Sequence, residues 1–87
     1  MADAMTWWVY LLRCGDGTLY CGIALDVAAR LKQHQEGRGA KYTRGRGPLE
    51  LAYCEACASK AEALRREREV KRLRRGAKEA LIATGRP

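Results

Sequence analysis

Trp7-Trp8-Val9-Tyr10-Leu11-Leu12-Arg13-Cys14-Gly15-Asp16-Gly17-Thr18-Leu19-Tyr20-Cys21-Gly22-Ile23 is the stretch whose reading decides the fold. Trp7 to Cys14 is rich in aromatic and β-branched residues and predicts a strand; Thr18 to Ile23 predicts a second. Gly15-Asp16-Gly17 between them is strong turn chemistry, so the two strands form an antiparallel hairpin. A three-residue loop is odd in length. Every even-numbered residue of both strands therefore lies on one sheet face, because side chains alternate with period two. Trp8, Tyr10, Leu12, Tyr20 and Gly22 share that face. The two tyrosines sit diagonally across the hairpin, within reach of each other.

Outward from the hairpin, Asp26 is a good N-cap for a helix from Val27 to about Glu36, with Gly37 as its stop. At about 100° per residue, Val27, Ala28 and Leu31 form an apolar stripe, and Arg30 and His34 share its border one turn apart. Residues 37–47 form a glycine-punctuated loop carrying Arg38, Lys41, Tyr42, Arg44 and Arg46 and no acid. Pro48 ends it, and Leu49 to Cys54 predicts a third strand. Ser59-x-x-Glu62 is a capping-box signature that opens a long helix to about Arg75. Gly76 breaks that helix, and Ala77 to Ala83 forms a short last one. The order ββαβαα indicates an α+β fold, a small three-stranded antiparallel sheet packed with helices. Residues 7–84 make a single domain, with a loose N-terminal extension at 1–6 and a tail at 85–87.

The bulk numbers fit one modest core, since a chain of 87 residues buries only about 60–65% of its unfolded surface. Seventeen Lys and Arg against ten Asp and Glu give +7, which points to a polyanionic partner, nucleic acid first and an anionic membrane second. Trp7 to Leu12 is too short for a signal peptide and far short of the ~20 residues that span a bilayer, so the expected location is the cytoplasm. Cys14, Cys21, Cys54 and Cys57 are then expected as reduced thiols. Cys54-x-x-Cys57 resembles half of a zinc site, but no second Cys or His pair follows at ligand spacing. It reads as structural, with Cys54 in the strand and Cys57 in the turn after it. No glycine-rich phosphate motif, Ser-His-Asp set or dinucleotide fingerprint is present.

Glu67 is the most informative single position. It falls inside the arc set by Ala63, Leu64, Val70 and Leu73, whereas Glu62 and Glu69 fall outside it. An inward carboxylate is costly unless it is paired or bound to a cation. An ion pair with Lys71 or Arg30 would satisfy it, and so would a metal ion. The 38–46 segment, with cations, an aromatic and glycines interleaved, suits phosphate contacts and base stacking.

Taken together these positions resemble the GIY-YIG nuclease family. Trp8-Val9-Tyr10 and Tyr20-Cys21-Gly22 stand for its name-giving tripeptides; both departures spare the tyrosines and the final glycine. Arg30 and His34 match the arginine and histidine of the following helix, and Glu67 matches the acidic metal ligand. The string from Gly37 to Arg46 is similar to the short single-domain bacterial branch called YhbQ-like. The resemblance covers Trp7 to Ile82. It implies an endonuclease that hydrolyses phosphodiester bonds, DNA before RNA, in repair or recombination, with one Mg²⁺ or Mn²⁺ on Glu67. Tyr10, Tyr20, Arg30, His34 and Glu67 would be catalytic. Tyr10 or Tyr20 would help deprotonate water with His34 as relay, and Arg30 would neutralise phosphoryl charge. Arg38, Lys41, Tyr42, Arg44, Arg46 and Lys71 would bind nucleic acid. The alternative is a non-catalytic binding module, or an adaptor for a protein partner that supplies targeting.

Overall fold

Strands β1 (Trp7–Arg13) and β2 (Leu19–Ala24) pair in the register that the odd turn dictates, with Tyr10 opposite Gly22 and Leu12 opposite Tyr20. This computed structural model describes residues 6–85. The extension expected at 1–6 and the tail at 85–87 therefore lie, apart from Thr6 and Gly85, outside the described residues. Helix α1 (Val27–Gln35) follows, then a 3-10 turn (Lys41–Thr43), strand β3 (Glu50–Cys57), helix α2 (Lys60–Arg72) and helix α3 (Arg75–Thr84). The sheet order β2-β1-β3 makes β1 the central strand, paired antiparallel on both sides.

Two apolar layers form on the two faces of β1. Val9, Leu11, Cys21, Tyr53 and Cys57 pack with Ala63 and Val70 of α2, and Leu81 and Ile82 of α3 close over them. Tyr10, Leu12 and Ala24 form the other layer, against Val27 and Leu31 of α1. The predicted caps are in place. Asp26 accepts from the Ala29 amide at 3.0 Å, and the Ser59 hydroxyl accepts from the Glu62 amide at 3.1 Å. Gly37 takes φ +79 just past α1, a conformation that only glycine adopts cheaply.

Several boundaries differ from the sequence reading. The break between the last two helices falls at Leu73 and Arg74, both extended, and Gly76 lies inside the first turn of α3. Burial of Leu81 and Ile82, with a paired contact from Arg13 to Glu79 at 2.9 Å, sets the angle of α3 and overrides the local cost of one glycine. Strand β3 runs on to Cys57, which pairs with Trp7 and is buried, so Cys57 belongs to the strand and not to the following turn. Ladder pairing with β1 outweighs the weak strand signal of Glu55-Ala56-Cys57. Leu64 is exposed, and the inward face of α2 narrows to Ala63 and Val70 with Glu67 between them. Among the described residues all four cysteines are free thiols, and no helix is long and apolar enough to cross a membrane.

Leu11 has no exposed surface, whereas Leu64 is 40% exposed. Leu11→Ala should then cost about 2–5 kcal/mol in urea denaturation, as buried leucine truncations do. Leu64→Ala should stay within about 0.5 kcal/mol. Equal losses would contradict the assignment of the two layers.

Candidate active site

Tyr10 and Tyr20 lie on the α1 face of the hairpin with ring centroids 6.4 Å apart. Gly22, opposite Tyr10, makes this possible: a Cβ there would lie 2.6 Å from the Tyr10 hydroxyl. The glycine of the second tripeptide is thus a space for the tyrosine of the first.

His34 comes down from the last turn of α1 between the two rings, 6.0 Å from the Tyr10 centroid and 5.3 Å from that of Tyr20, edge-on to both. It is 2% exposed, so the helix border expected from periodicity is an interior position. Its Nε2 lies 2.8 Å from the Tyr10 hydroxyl. Its Nδ1 accepts from the Ala40 amide at 3.2 Å and lies 3.0 Å from the Thr43 hydroxyl, which also donates to the Ala40 carbonyl at 2.9 Å. A Cβ on Gly39 would run into the same imidazole. The loop after α1 is therefore wrapped on His34, and both ring nitrogens are satisfied.

Burial holds the Tyr10 phenol up at about 12, with the Tyr20 phenol adding to the rise and the Arg30 guanidinium opposing it. Burial also raises Tyr20, against the pull of Lys71 and Arg30. His34 moves down, first through burial and then through the charge of Arg30. At neutral pH the centre is thus a neutral imidazole between two neutral phenols, beside a guanidinium. Arg30 hydrogen-bonds Gln33 at 2.8 Å.

Glu67 lies on α2, the helix packed on the other face of the sheet. It shares the inward face of α2 with Ala63 and Val70, and its side chain is 17% exposed. Lys71 pairs with it at 3.3 Å, one of the two kinds of partner its inward position allows. The α2 helix packs along edge strand β2; burial pushes the Cys21 thiol up to about 12, and the Glu67 charge adds to that rise and to the rise of Tyr20. Among the described residues no three His, Cys, Asp or Glu side chains gather as a metal cage.

The loop cations divide into two kinds. Arg38 pairs with Glu36, and Arg46 pairs with Asp16 at 2.5 Å while its guanidinium lies 4.2 Å from the Tyr42 ring centroid. Lys41 and Arg44 are exposed and form no ion pair among the described residues. Tyr42 stacks on Tyr20, centroids 5.7 Å apart at 28°, which places the loop's aromatic directly against the catalytic candidates. Sequence reasoning missed Thr43 and Asp16. Thr43 follows no periodicity, and Asp16 reads only as a turn residue. The one signal for Thr43 is its place in the Gly-Arg-Gly-Ala-Lys-Tyr-Thr string.

A three-stranded α+β domain that sets two hairpin tyrosines around a helix-borne histidine and arginine, with a glutamate on a later helix, defines a class. The GIY-YIG catalytic domain family matches residues 6–80, and the chain belongs to the GIY-YIG family. It is 53% identical over 78 residues to a UPF0213 protein of Vibrio cholerae, across 88% of this chain and 77% of that one. It is 52% identical to a UPF0213 protein of Halobacterium salinarum, across 85% of this chain and 96% of that one. The solution structure of a UPF0213 protein from Bacillus halodurans superposes with TM-score 0.60 at 51% identity, over 95% of this chain and 89% of that one. A solution structure from E. faecalis gives TM-score 0.65 at 34% identity, over 97% and 90%. The chain is similar throughout to these small single-domain proteins, and its fold is theirs.

Tyr10 and Tyr53 are both raised to about 12, Tyr10 by burial and then Tyr20, Tyr53 by burial and then Glu55. A phenol near 10 in the unfolded chain ionises first there, so the unfolded state loses protons before the folded one. Stability is fully present below about pH 10 and should fall as pH rises toward about 12. Urea midpoints across that range check it; a flat profile would show that these phenols ionise freely in the fold.

Proposed function

We propose that the protein is a divalent-metal-dependent endonuclease that hydrolyses phosphodiester bonds in nucleic acid, DNA before RNA. The observation that carries this reading is the convergence of Tyr10, Tyr20 and His34 on one face of the hairpin, with the inward carboxylate of Glu67 on α2, the helix that packs on strand β2.

The residues fit a metal ion in minimal form. Glu67 offers one half-buried carboxylate whose present partner, Lys71, is an exposed and displaceable cation. That suits Mg²⁺ or Mn²⁺, which commonly bind through one or two carboxylates and substrate phosphate and otherwise keep their waters. When bound, such an ion supplies Lewis-acid stabilisation of charge on the scissile phosphate. The chain's own groups do the rest. Tyr20 is assigned to orient the attacking water as a neutral phenol, because its hydroxyl has no hydrogen-bond partner among the described residues and burial raises its pKa against the opposing charges of Lys71 and Arg30. Arg30 stabilises charge growing on the phosphoryl oxygens. Lys41 and Arg44 lead the substrate backbone toward the aromatic cluster, and Tyr42 with Arg46 buttresses Tyr20 from the outer side.

The exposed Lys41 and Arg44 also favour a second reading, a binding module without cleavage. The two readings part at Glu67. Glu67→Gln should lower metal-dependent cleavage of single-stranded, duplex or branched DNA by about a hundredfold or more, as loss of a preorganised electrostatic group does. Its denaturation midpoint should stay close to that of the native chain. Retained cutting would remove Glu67 from the chemistry, and binding without cutting by the native chain on every substrate would favour the module.

Neutralising Lys41 and Arg44 together should flatten the salt dependence of duplex binding by up to ~0.9 for each phosphate that the loop then leaves unneutralised. Neutralising Arg38, already paired with Glu36, should flatten it less. The reverse order would move the footprint away from the 3-10 turn.

A further inference from the structure

His34 is the one histidine of the chain, and the hydrogen bonds around it decide where its proton sits. A backbone amide can only donate. The Ala40 N–H points at Nδ1 from 3.2 Å, so Nδ1 must present its lone pair. The Thr43 hydroxyl, 3.0 Å from the same nitrogen and 2.9 Å from the Ala40 carbonyl, has its proton between two acceptors. A neutral imidazole with an unprotonated Nδ1 carries its proton on Nε2, the nitrogen 2.8 Å from the Tyr10 oxygen.

We infer that Thr43, with the Ala40 amide, is a positioning residue that locks His34 in the Nε2–H tautomer, so that His34 donates to the oxygen of the buried Tyr10 and fixes the orientation of that phenol beneath the site. The direction of the hydrogen bond matters. In the opposite tautomer Tyr10 would donate to His34 instead, and an Nδ1–H would face the Ala40 N–H, donor against donor. His34 in this tautomer cannot take a proton from Tyr10, so it serves as the group that orients the phenol and not as its relay.

Other features support the lock. Thr43 is 2% exposed although it lies in a loop of exposed cations, and Gly39 leaves the space that lets the loop close on the imidazole. The 3-10 turn Lys41–Thr43 has no other buried residue. The same turn carries Lys41 and Tyr42, so a phosphate gripped by the loop is gripped by the element that sets the His34 proton.

Geometry alone fixes the tautomer, while its effect on cleavage rests on the nuclease reading. Long-range ¹H–¹⁵N correlation spectra of uniformly labelled protein, made without a histidine tag, contain a single imidazole and read its tautomer directly. The native chain is expected to show the Nε2–H form at neutral pH. Thr43→Ser should keep it and keep cleavage. Thr43→Val removes the 2.9 Å bond that holds Ala40 over the ring, so it should free the amide, admit the Nδ1–H form and lower cleavage by about 10- to 100-fold, the range for losing a partner that orients a functional imidazole. A native Nδ1–H tautomer overturns the proposal whatever the variants do, including a Thr43→Val chain that fails to fold. So does Thr43→Val with an unchanged tautomer. A native Nε2–H spectrum from a protein that cuts no substrate supports the lock and defeats the nuclease reading instead.

Discussion

Between Cys14 and Thr18 the chain reverses through three residues, and that odd count sends every even-numbered side chain of the hairpin to one face. A slip of β2 by one residue against β1 would turn β2 over, sending Tyr20 and Gly22 to the α2 face and bringing Cys21 and Ile23 against Tyr10 and His34. The structure guards the register at the turn itself. Asp16 accepts from the amide and the hydroxyl of Thr18, at 3.1 and 2.6 Å, and Arg46 reaches across to the same carboxylate. Gly15 can only be glycine-sized there, because the backbone of Gly47 lies where a Cβ would stand. The hairpin and the basic loop therefore hold each other in place.

A second constraint follows from burying a polar ring. An unsatisfied buried donor or acceptor costs about 1–3 kcal/mol, a large share of the stability of so small a domain. His34 avoids that cost by closing a circuit through the central strand, its own helix and the loop after it: Tyr10, His34, Ala40 and Thr43. The same circuit that satisfies the ring removes conformational freedom from the loop and brings Tyr42 onto Tyr20. Stability and site geometry are here one set of hydrogen bonds.

Charge is distributed on similar lines. Several cations face acids of their own: Arg13 with Glu79, Arg66 with Glu55, Lys71 with Glu67, Arg46 with Asp16. The formal charge of +7 already counts these acids, so the pairing decides where free cations lie and leaves the net excess unchanged. Exposed pairs of this kind add little stability each, but they decide which cations remain available. Near the site those among the described residues are Arg30, Lys41 and Arg44.

The hairpin, its register, the helix caps at Asp26 and Ser59, and the stop at Gly37 are legible in the sequence, since period, turn length and capping chemistry are properties of a few adjacent residues. The inward turn of Glu67 is legible for the same reason, although periodicity does not choose between Lys71 and a metal ion as its partner. Tertiary structure alone decided the rest. Gly76 is a local helix breaker, yet the angle of α3 is set by burial of Leu81 and Ile82 and by Arg13, distant in the chain. Cys57 joins the strand only because Trp7 lies opposite it. His34 looks like a border residue on its own helix and becomes interior when the loop closes over it. Thr43 has no pattern to betray it, because its role is a hydrogen bond to a ring nine residues away. Local sequence sets which conformations are cheap; contacts between distant segments choose among them, and they exist only in the folded chain.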